Sequence, residues 1–227
     1  MKKFLTVALA GVLAASMLFT GCSKKAESKV PDKLIVGTNA EFPPFEYMND
    51  KKQPEGFDIA MIKEIGKRMG KKVEIKNMEF KSLIGAMESD SINAIIAGMT
   101  KTEKREKAVD FSDSYYTTNQ AIILKKDSKI TKLAQLDGKK IGVQEGTTGD
   151  LISSGDKFGD GKKAKVLVKG AKVKRFKKGV DAVMDLKNGS VDAVVIDELT
   201  ANEFVKKNAK KLKIVIDSAG SEYYCIA

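Results

Sequence analysis

Short apolar runs alternate with amphipathic segments from residue 34 onward, and this alternation constrains the fold more than any other feature of the chain. Leu34–Val36 and Ala94–Met99 have the composition of buried strands. Between them, Asp58–Met69 has apolar residues at helical spacing, and Asp58 is the expected N-cap. Continuous apolar strands are typical of a parallel sheet covered by helices on both faces. Because the alternation returns after a longer extended stretch at 120–124, the pattern predicts an α/β fold built in two rounds.

The composition excludes several kinds of chemistry. The 227 residues contain no histidine and no tryptophan, and the only cysteines are Cys22 and Cys225. Without histidine there is no Ser-His-Asp or Cys-His nucleophile and no histidine-metal site. Two distant cysteines do not make a zinc site or a disulfide framework, and Cys225 is expected to be a small buried residue. Any function must therefore use carboxylates, amines, hydroxyls, aromatic rings and the backbone, and we expect no metal and no cofactor.

Arginine is rare in a strongly basic chain. The net charge is +11, yet only three of the 41 basic residues are arginines, namely Arg68, Arg105 and Arg175. Most lysines are expected to keep the surface soluble. The basic run Lys162–Lys178 is interrupted by apolar residues such as Val166, which indicates strands rather than a nucleic-acid-binding arm. We expect no nucleic-acid partner, and each arginine needs an explanation of its own.

The amino terminus has the pattern of a secretory signal. Met1-Lys2-Lys3 precedes an uncharged, mostly apolar run from Phe4 to Thr20, which predicts a signal peptide over residues 1–21. The stretch 18–22 resembles a bacterial lipobox, which implies lipidation of Cys22, a tether over 22–32 and anchoring to the outer surface of the cell membrane. The alternative is a membrane-retained helix, although 17 residues are short for a span.

Two helix-strand units have similar sequences. Residues 86–96 resemble residues 183–195, with a two-residue difference in the loop between helix and strand. Ligands of open α/β sheets bind at the carboxyl ends of the strands. If the repeat is genuine, Thr100 and Arg105 face Asp197 across a cleft; the alternative is that any two helix-strand units look alike.

Residues 34–227 resemble an extracytoplasmic amino-acid-binding protein of an ABC importer, in solute-binding protein family 3. The segments that carry the resemblance are 37–46 (GTNAEFPPFE), 56–58 (GFD), 78–80 (MEF), 97–105, 109–116, 146–148 (GTT) and 191–197. The resemblance implies a two-lobed type II periplasmic-binding-protein fold, each lobe a mostly parallel sheet flanked by helices. It implies a first lobe of residues 33–116 and 220–227 and a second of residues 117–219, with hinge strands near 115–119 and 220–224. Family members continue further, so C-terminal elements are expected to be missing, with poor stability or self-association of the chain as written.

The resemblance also assigns a site for a polar amino acid. Arg105 corresponds to the arginine that binds the ligand's carboxylate, and its planar fork suits that group better than lysine does. Asp197 corresponds to the acceptor of the ammonium group. Thr100, Thr147 and Thr148 correspond to donors to the carboxylate. The alternatives are a solvated surface charge for Arg105, an N-cap for Asp197 and ordinary turn residues for the threonines.

The remaining assigned residues shape the cavity. Gly98 allows the backbone to approach the ligand, and Phe42 and Phe80 correspond to aromatic residues that enclose its side chain, with a role in the core as the alternative. Asn39 lies where acidic residues of some relatives meet basic side chains. Its neutral amide favours an uncharged ligand such as glutamine, and we expect Asn39→Asp to raise the affinity for basic ligands in titrations.

The resemblance implies a monomeric, non-enzymatic protein that closes around an amino acid and delivers it to an ABC permease. Two alternatives remain open. One is an enzyme on the same scaffold, of the cyclohexadienyl dehydratase type, with Glu41, Glu79 or Glu145 as the acid or base. The other is a ligand-sensing ectodomain, which requires a signalling helix in the membrane that is not found after residue 21.

Overall fold

The structure is a computed structural model, and it describes residues 32–158 and 165–227, with the backbone alone at 158 and at 217–220. The predicted signal peptide at 1–21, the lipidation site at Cys22 and the tether up to residue 31 lie outside the described residues. Within the described ranges, no helix is both long enough and apolar enough to cross a bilayer.

The first sheet has three parallel strands. They are β1 (Lys33–Thr38), β5 (Lys72–Asn77) and β6 (Ala94–Ile95), in the order β5-β1-β6. A small antiparallel sheet beside it contains β2 (Glu41–Phe42), β3 (Glu46–Met48) and β4 (Pro54–Glu55). The helices of this part are α1 (Phe57–Arg68), α2 (Leu83–Glu88) and α3 (Glu103–Glu106), with a 3-10 turn at Phe80–Ser82.

The second sheet has five strands in the order β11-β8-β12-β7-β13. They are β7 (Tyr116–Lys125), β8 (Lys140–Gln144), β11 (Lys172–Phe176), β12 (Ala193–Asp197) and β13 (Leu212–Tyr224). The strands β11, β8 and β12 are parallel, whereas β7 is antiparallel to both of its neighbours. The pair β9 (Lys157–Phe158) and β10 (Lys165–Val166) lies apart from this sheet, and the helices are α4 (Thr148–Ser153), α5 (Gly179–Asn188) and α6 (Glu198–Lys206).

The central strand β7 shows why its apolar run is continuous. Ala121 and Ile123 pack in a cluster that includes residues of α5 and α6, while Ile122 and Leu124 pack in a cluster on the other face with Ile152 of α4. Successive strand residues point to opposite faces, so a strand with helices on both faces needs apolar residues at every position. The second sheet therefore has the predicted doubly covered arrangement.

The long strands β7 and β13 pair beyond the sheet as well. Residues 116–118 pair with residues 222–224 after an irregularity in β13 between 217 and 222. The residues after β13 then bond to β6 and to the segment after it: the Cys225 amide donates to the Met99 carbonyl at 3.0 Å, and Ala227 exchanges hydrogen bonds with Ile95. Cys225 is buried, as predicted. The proposed lobe boundaries and hinge lie on these strands and stay a prediction.

Two local predictions were wrong. The ladder of β6 covers only Ala94–Ile95, because the backbone turns at Gly98, where φ is +51°. The N-cap of α1 is Gly56 and not Asp58. Instead, a carboxylate oxygen of Asp58 accepts hydrogen bonds at 2.8 Å from the Gly98 amide and from the Tyr115 hydroxyl. Asp58 is therefore buried as a support for the turn after β6.

Candidate functional site

One small cavity between the two sheets is lined by all nine residues that the sequence assigned to a site. The lining residues are Asn39, Phe42, Phe80, Gly98, Thr100, Arg105, Thr147, Thr148 and Asp197, together with Ala97 and Gln144. The volume of the cavity is about 10 Å³, which is room for about one water molecule. Side chains or whole structural units must therefore move apart before a larger molecule is bound.

Arg105 is buried and connects the two halves of the cavity. The Thr102 hydroxyl caps α3 by accepting from the Arg105 amide at 3.2 Å, and this fixes the direction in which the side chain leaves the helix. Its guanidinium donates to the Thr100 carbonyl at 2.5 Å and to the Gly146 carbonyl at 3.0 Å, and it lies 5.2 Å from the centre of the Phe80 ring. Burial lowers the pKa of Arg105 to about 10, against the opposing charges of Glu222 and Asp197, so it stays cationic at neutral pH. It is not a solvated surface charge.

Asp197 ends strand β12 and precedes helix α6. It stands at the N-cap position but makes no capping hydrogen bond with its side chain. Its two carboxylate oxygens instead accept hydrogen bonds from the Gln120 amide and the Tyr224 hydroxyl. Burial, followed by the charge of Glu222, raises the pKa of Asp197 to about 8. An acceptor of this kind is stabilised as an anion when a cation comes close to it.

Thr100 and Thr148 meet at a residue that the sequence reasoning missed. Both hydroxyls donate to the same carboxylate oxygen of Glu222, each at 2.7 Å, and the Gln120 amide donates to the other oxygen at 2.7 Å. Glu222 is 1% exposed, although it belongs to the edge strand β13. The available signal was an acidic residue in the hinge strand, two positions before a buried tyrosine.

Thr147 and Gly98 shape the backbone of the cavity. The Thr147 hydroxyl caps α4 by accepting from the Asp150 amide at 3.3 Å and donates to the Gln144 carbonyl at 2.8 Å, so the alternative role as a cap applies to its side chain. A Cβ atom at Gly98 would lie 3.1 Å from the Phe42 ring, and the positive φ also favours glycine there. The close approach that was expected of Gly98 is therefore toward the aromatic wall.

A pair of amides lies at another part of the cavity. The Gln144 amide donates to the Asn39 side-chain oxygen at 2.7 Å, and Asn39 in turn donates to the Met78 carbonyl at 2.8 Å. Gln144 was missed because one polar residue at the end of an apolar strand has many possible roles. An aspartate at position 39 would face the Met78 carbonyl without a proton to donate, so the expected gain of Asn39→Asp for basic ligands is opposed by a loss of stability of about 1–3 kcal/mol.

The aromatic residues serve the core and the cavity together. Phe42 is 7% exposed and packs in the same cluster as Tyr224, while Phe80 is 9% exposed and packs in the cluster beneath α2. Both line the cavity. The two alternatives given for these residues therefore do not exclude each other.

Comparison with known proteins identifies the family. The profile of bacterial extracellular solute-binding proteins, family 3, matches residues 34–222. The chain belongs to this family. It is 35% identical over 224 residues to the arginine-binding extracellular protein ArtP of Bacillus subtilis (strain 168), covering 98% of this chain and 83% of that protein.

Solved structures of arginine-binding proteins have the same fold. A truncated, arginine-bound ArgBP from T. maritima is 42% identical with a TM-score of 0.73, covering 86% of this chain and 87% of that one. An ancestral arginine-binding protein, solved with arginine and also with glutamine, is 41% identical with a TM-score of 0.75, covering 87% of this chain and 84% of that one. These matches confirm the predicted family and two-lobed α/β fold. They also favour the non-enzymatic solute-binding role over the dehydratase alternative.

Three ion pairs of this solute-binding protein lie close to the cavity, because their glutamates are sequence neighbours of the lining residues Phe42, Phe80 and Gln144, and we call them the rim pairs. Lys178 pairs with Glu41 and Lys177 with Glu79, both at 2.6 Å, and Lys81 pairs with Glu145 at 3.0 Å. Each pair joins a residue between 33 and 116 to one between 117 and 219. The carboxylates are the three candidates considered for acid-base chemistry, and each one faces a lysine.

We expect the rim pairs to stabilise the closed arrangement. Exposed pairs contribute about 0.2–1 kcal/mol each, so replacing Lys81, Lys177 and Lys178 together with alanine should weaken ligand affinity by about tenfold. Raising the salt concentration should lower the ligand affinity of the wild-type protein and leave that of the triple variant almost unchanged. Titration calorimetry at low and high salt measures both effects. Equal salt dependence of the two proteins would contradict the role of the pairs.

The described ranges contain no cluster of three or more acidic or cysteine side chains that could hold a metal ion. The lining side chains of this solute-binding protein offer one guanidinium, the carboxylate of Asp197, hydroxyls, amides and aromatic rings, and the buried carboxylate of Glu222 lies behind Thr100 and Thr148.

Proposed function

We propose that the protein captures an amino acid outside the cytoplasm and presents it to the permease of an ABC importer. One observation carries the proposal: a buried guanidinium and a buried carboxylate, those of Arg105 and Asp197, line one cavity. An α-amino acid carries a carboxylate and an ammonium group on neighbouring atoms, and this pair of opposite charges complements it.

Each end of the ligand is assigned to its own groups. Arg105 binds the carboxylate, aided by the hydroxyls of Thr100 and Thr148, and Asp197 accepts from the ammonium group. Charge-assisted hydrogen bonds contribute about 1.5–3 kcal/mol each, so three or four of them reach the roughly −8 kcal/mol of micromolar binding. The rings of Phe42 and Phe80 enclose the ligand's side chain.

Closure of the two lobes completes the site. Arg105 and Thr100 belong to the proposed first lobe, while Asp197, Thr148 and Gln144 belong to the second. A ligand that contacts both lobes only when they are closed shifts the population toward closure. The paired strands β7 and β13 are the proposed hinge, and the permease distinguishes the closed form from the open one.

A basic amino acid is the first candidate ligand. The relatives described above are named for arginine, and the ancestral protein was also solved with glutamine. The amide of Asn39 favours glutamine, as argued from the sequence. We place arginine first because Glu222, which bonds to the lining residues Thr100 and Thr148, adds a second buried carboxylate to that of Asp197, whereas Arg105 is the one cation among the described lining residues.

The protein is further proposed to be a monomer that is anchored by a lipid on Cys22 after removal of residues 1–21. Support comes from the sequence pattern of the amino terminus. Mass spectrometry of the protein purified from a bacterial membrane tests this, with a diacylated Cys22 as the expected first residue. An uncleaved or unmodified amino terminus would contradict it.

Titration calorimetry with the twenty amino acids tests the main proposal, alongside an assay for turnover of prephenate and arogenate. We expect at least one amino acid to bind with micromolar or tighter affinity, and no turnover. Absence of binding by every amino acid at millimolar concentration, or measurable turnover, would overturn the proposal.

A further inference from the structure

Glu222 is a buried carboxylate that accepts hydrogen bonds from side chains to which the proposed function assigns the ligand's carboxylate. Its partners are the hydroxyls of Thr100 and Thr148 and the amide of Gln120, all at 2.7 Å. The same Gln120 amide also donates to Asp197. Two carboxylates are thus linked by a single neutral amide. Asp197 lines the cavity, Glu222 lies behind the lining residues Thr100 and Thr148, and Arg105 is the one cation among the described lining residues.

We propose that Glu222 is a second acceptor for the ligand's ammonium group and that its negative charge makes the site selective for basic amino acids. The inference rests on the proposed function, because it requires the ligand to be an amino acid. It assigns the preference for a basic ligand to the hinge strand β13 rather than to position 39.

Glu222 must exchange hydrogen-bond donors when a ligand's carboxylate binds to Thr100 and Thr148. A hydroxyl donates one proton, so Thr100 and Thr148 cannot donate to Glu222 and to the ligand's carboxylate at the same time. When the ligand takes both hydroxyls, Glu222 keeps only Gln120 as a donor. The ammonium group is attached to the same ligand carbon as the carboxylate and has three protons. It is therefore placed to replace the lost donors and to bridge Glu222 and Asp197.

Charge balance then selects among amino acids. With both carboxylates ionised, Arg105, Asp197 and Glu222 carry a net charge of −1. A zwitterion with a neutral side chain either leaves this charge uncompensated in a buried site, which is costly, or requires one carboxylate to keep its proton. A ligand with a cationic side chain brings the total to zero. Arginine should gain affinity over glutamine for this reason, although the two side chains are similar in length.

Protonation of the carboxylates gives an independent test in the unaltered protein. The groups that face Glu222 are Arg105 from α3, Asp197 from β12 and Tyr224 from β13 itself. Burial is the first cause of the raised pKa of both Glu222 and Asp197, so the ligand-free pair retains a proton near neutral pH. A basic ligand favours the ionised pair and releases that proton. Its affinity should therefore rise from about pH 5.5 to about 8.5 more steeply than that of glutamine.

The experiment compares arginine and glutamine binding by calorimetry in the wild type, Glu222→Gln and Glu222→Asp. Glu64→Gln is the matched control, because it removes the same charge from the exposed face of α1. In Glu222→Gln we expect the preference for arginine over glutamine to fall by about tenfold or more. Glu222→Asp should keep most of the preference for arginine, because it keeps the charge, and the control variant should keep all of it.

Two results would overturn the inference. One is an unchanged preference for arginine over glutamine in Glu222→Gln; if both affinities rise equally, Glu222 only competes with the ligand's carboxylate. The other is a wild-type arginine-to-glutamine affinity ratio that is the same at pH 5.5 and pH 8.5, and this measurement decides if Glu222→Gln does not fold. A wild-type protein that binds no amino acid would instead refute the proposed function.

Discussion

Replacing Arg105 with lysine is expected to weaken amino-acid binding by about 100-fold or more. The guanidinium of Arg105 donates to carbonyls on both sides of the cavity, those of Thr100 and Gly146, and still presents a planar group to a ligand's carboxylate. Lysine keeps the charge but is a point donor that cannot make these contacts together. Loss of one or two charge-assisted hydrogen bonds, each about 1.5–3 kcal/mol, accounts for the expected magnitude.

Calorimetric titration of Arg105→Lys measures this effect. Arg68→Lys is the matched control, because Arg68 is exposed on α1 and pairs only with Glu64 among the described ion pairs. The control should bind as the wild type does. An affinity of Arg105→Lys within about threefold of the wild-type value would mean that Arg105 is a structural residue and that another group binds the carboxylate.

Asp197→Asn is expected to lower affinity by a similar factor while making the protein more stable. The substitution removes the anion that is assigned to the ligand's ammonium group, which costs binding directly. The same anion is costly in the folded protein, because its charge is buried beside that of Glu222. An asparagine can still accept one hydrogen bond, so we expect the free energy of unfolding at pH 7.5 to increase by about 1–3 kcal/mol.

The pH dependence of the free energy of unfolding tests whether the buried charge of Asp197 is the cause of this gain in stability. The folded pKa of Asp197 is raised to about 8, above the ordinary aspartate value of about 3.9. Stability from this group is therefore fully present below pH 4 and is lost as the pH rises toward 8. Asp197→Asn should remove that decline. Urea unfolding at pH 5 and pH 8 measures it, with Asp110→Asn on the exposed surface as the control.

A gain in stability that is the same at pH 5 and pH 8 would contradict the electrostatic cause. So would a variant that binds amino acids as tightly as the wild type. Either outcome would leave Asp197 as a residue that orders α6 and Tyr224 without binding the ammonium group.

The sequence was informative about the site where a residue type was unusual for its context. Arg105 stood out because arginine is rare in this lysine-rich chain, and the internal repeat placed it with Thr100 opposite Asp197 at the ends of two strands. The resemblance to a family then supplied the other six positions. All nine line one cavity, although their roles toward a ligand stay a proposal.

The residues that were missed are those whose partners are distant in the chain. Glu222 binds Thr100 across 122 positions, and Gln144 binds Asn39 across 105. The rim pairs likewise join segments that have no local pattern in common. Asp58 was assigned to a helix cap because its neighbours favour one, whereas its hydrogen bonds go to a turn 40 positions away.

The sequence by itself determined the α/β alternation in two rounds and the absence of histidine chemistry, because these follow from local periodicity and composition. Only the tertiary structure decided that Glu222 joins Asp197 and Arg105 in one buried group, and that Lys177 and Lys178 close the rim opposite Glu79 and Glu41. The reason is physical. Burial and neighbouring charge set what a carboxylate can do, and both arise when strands distant in the chain pack side by side.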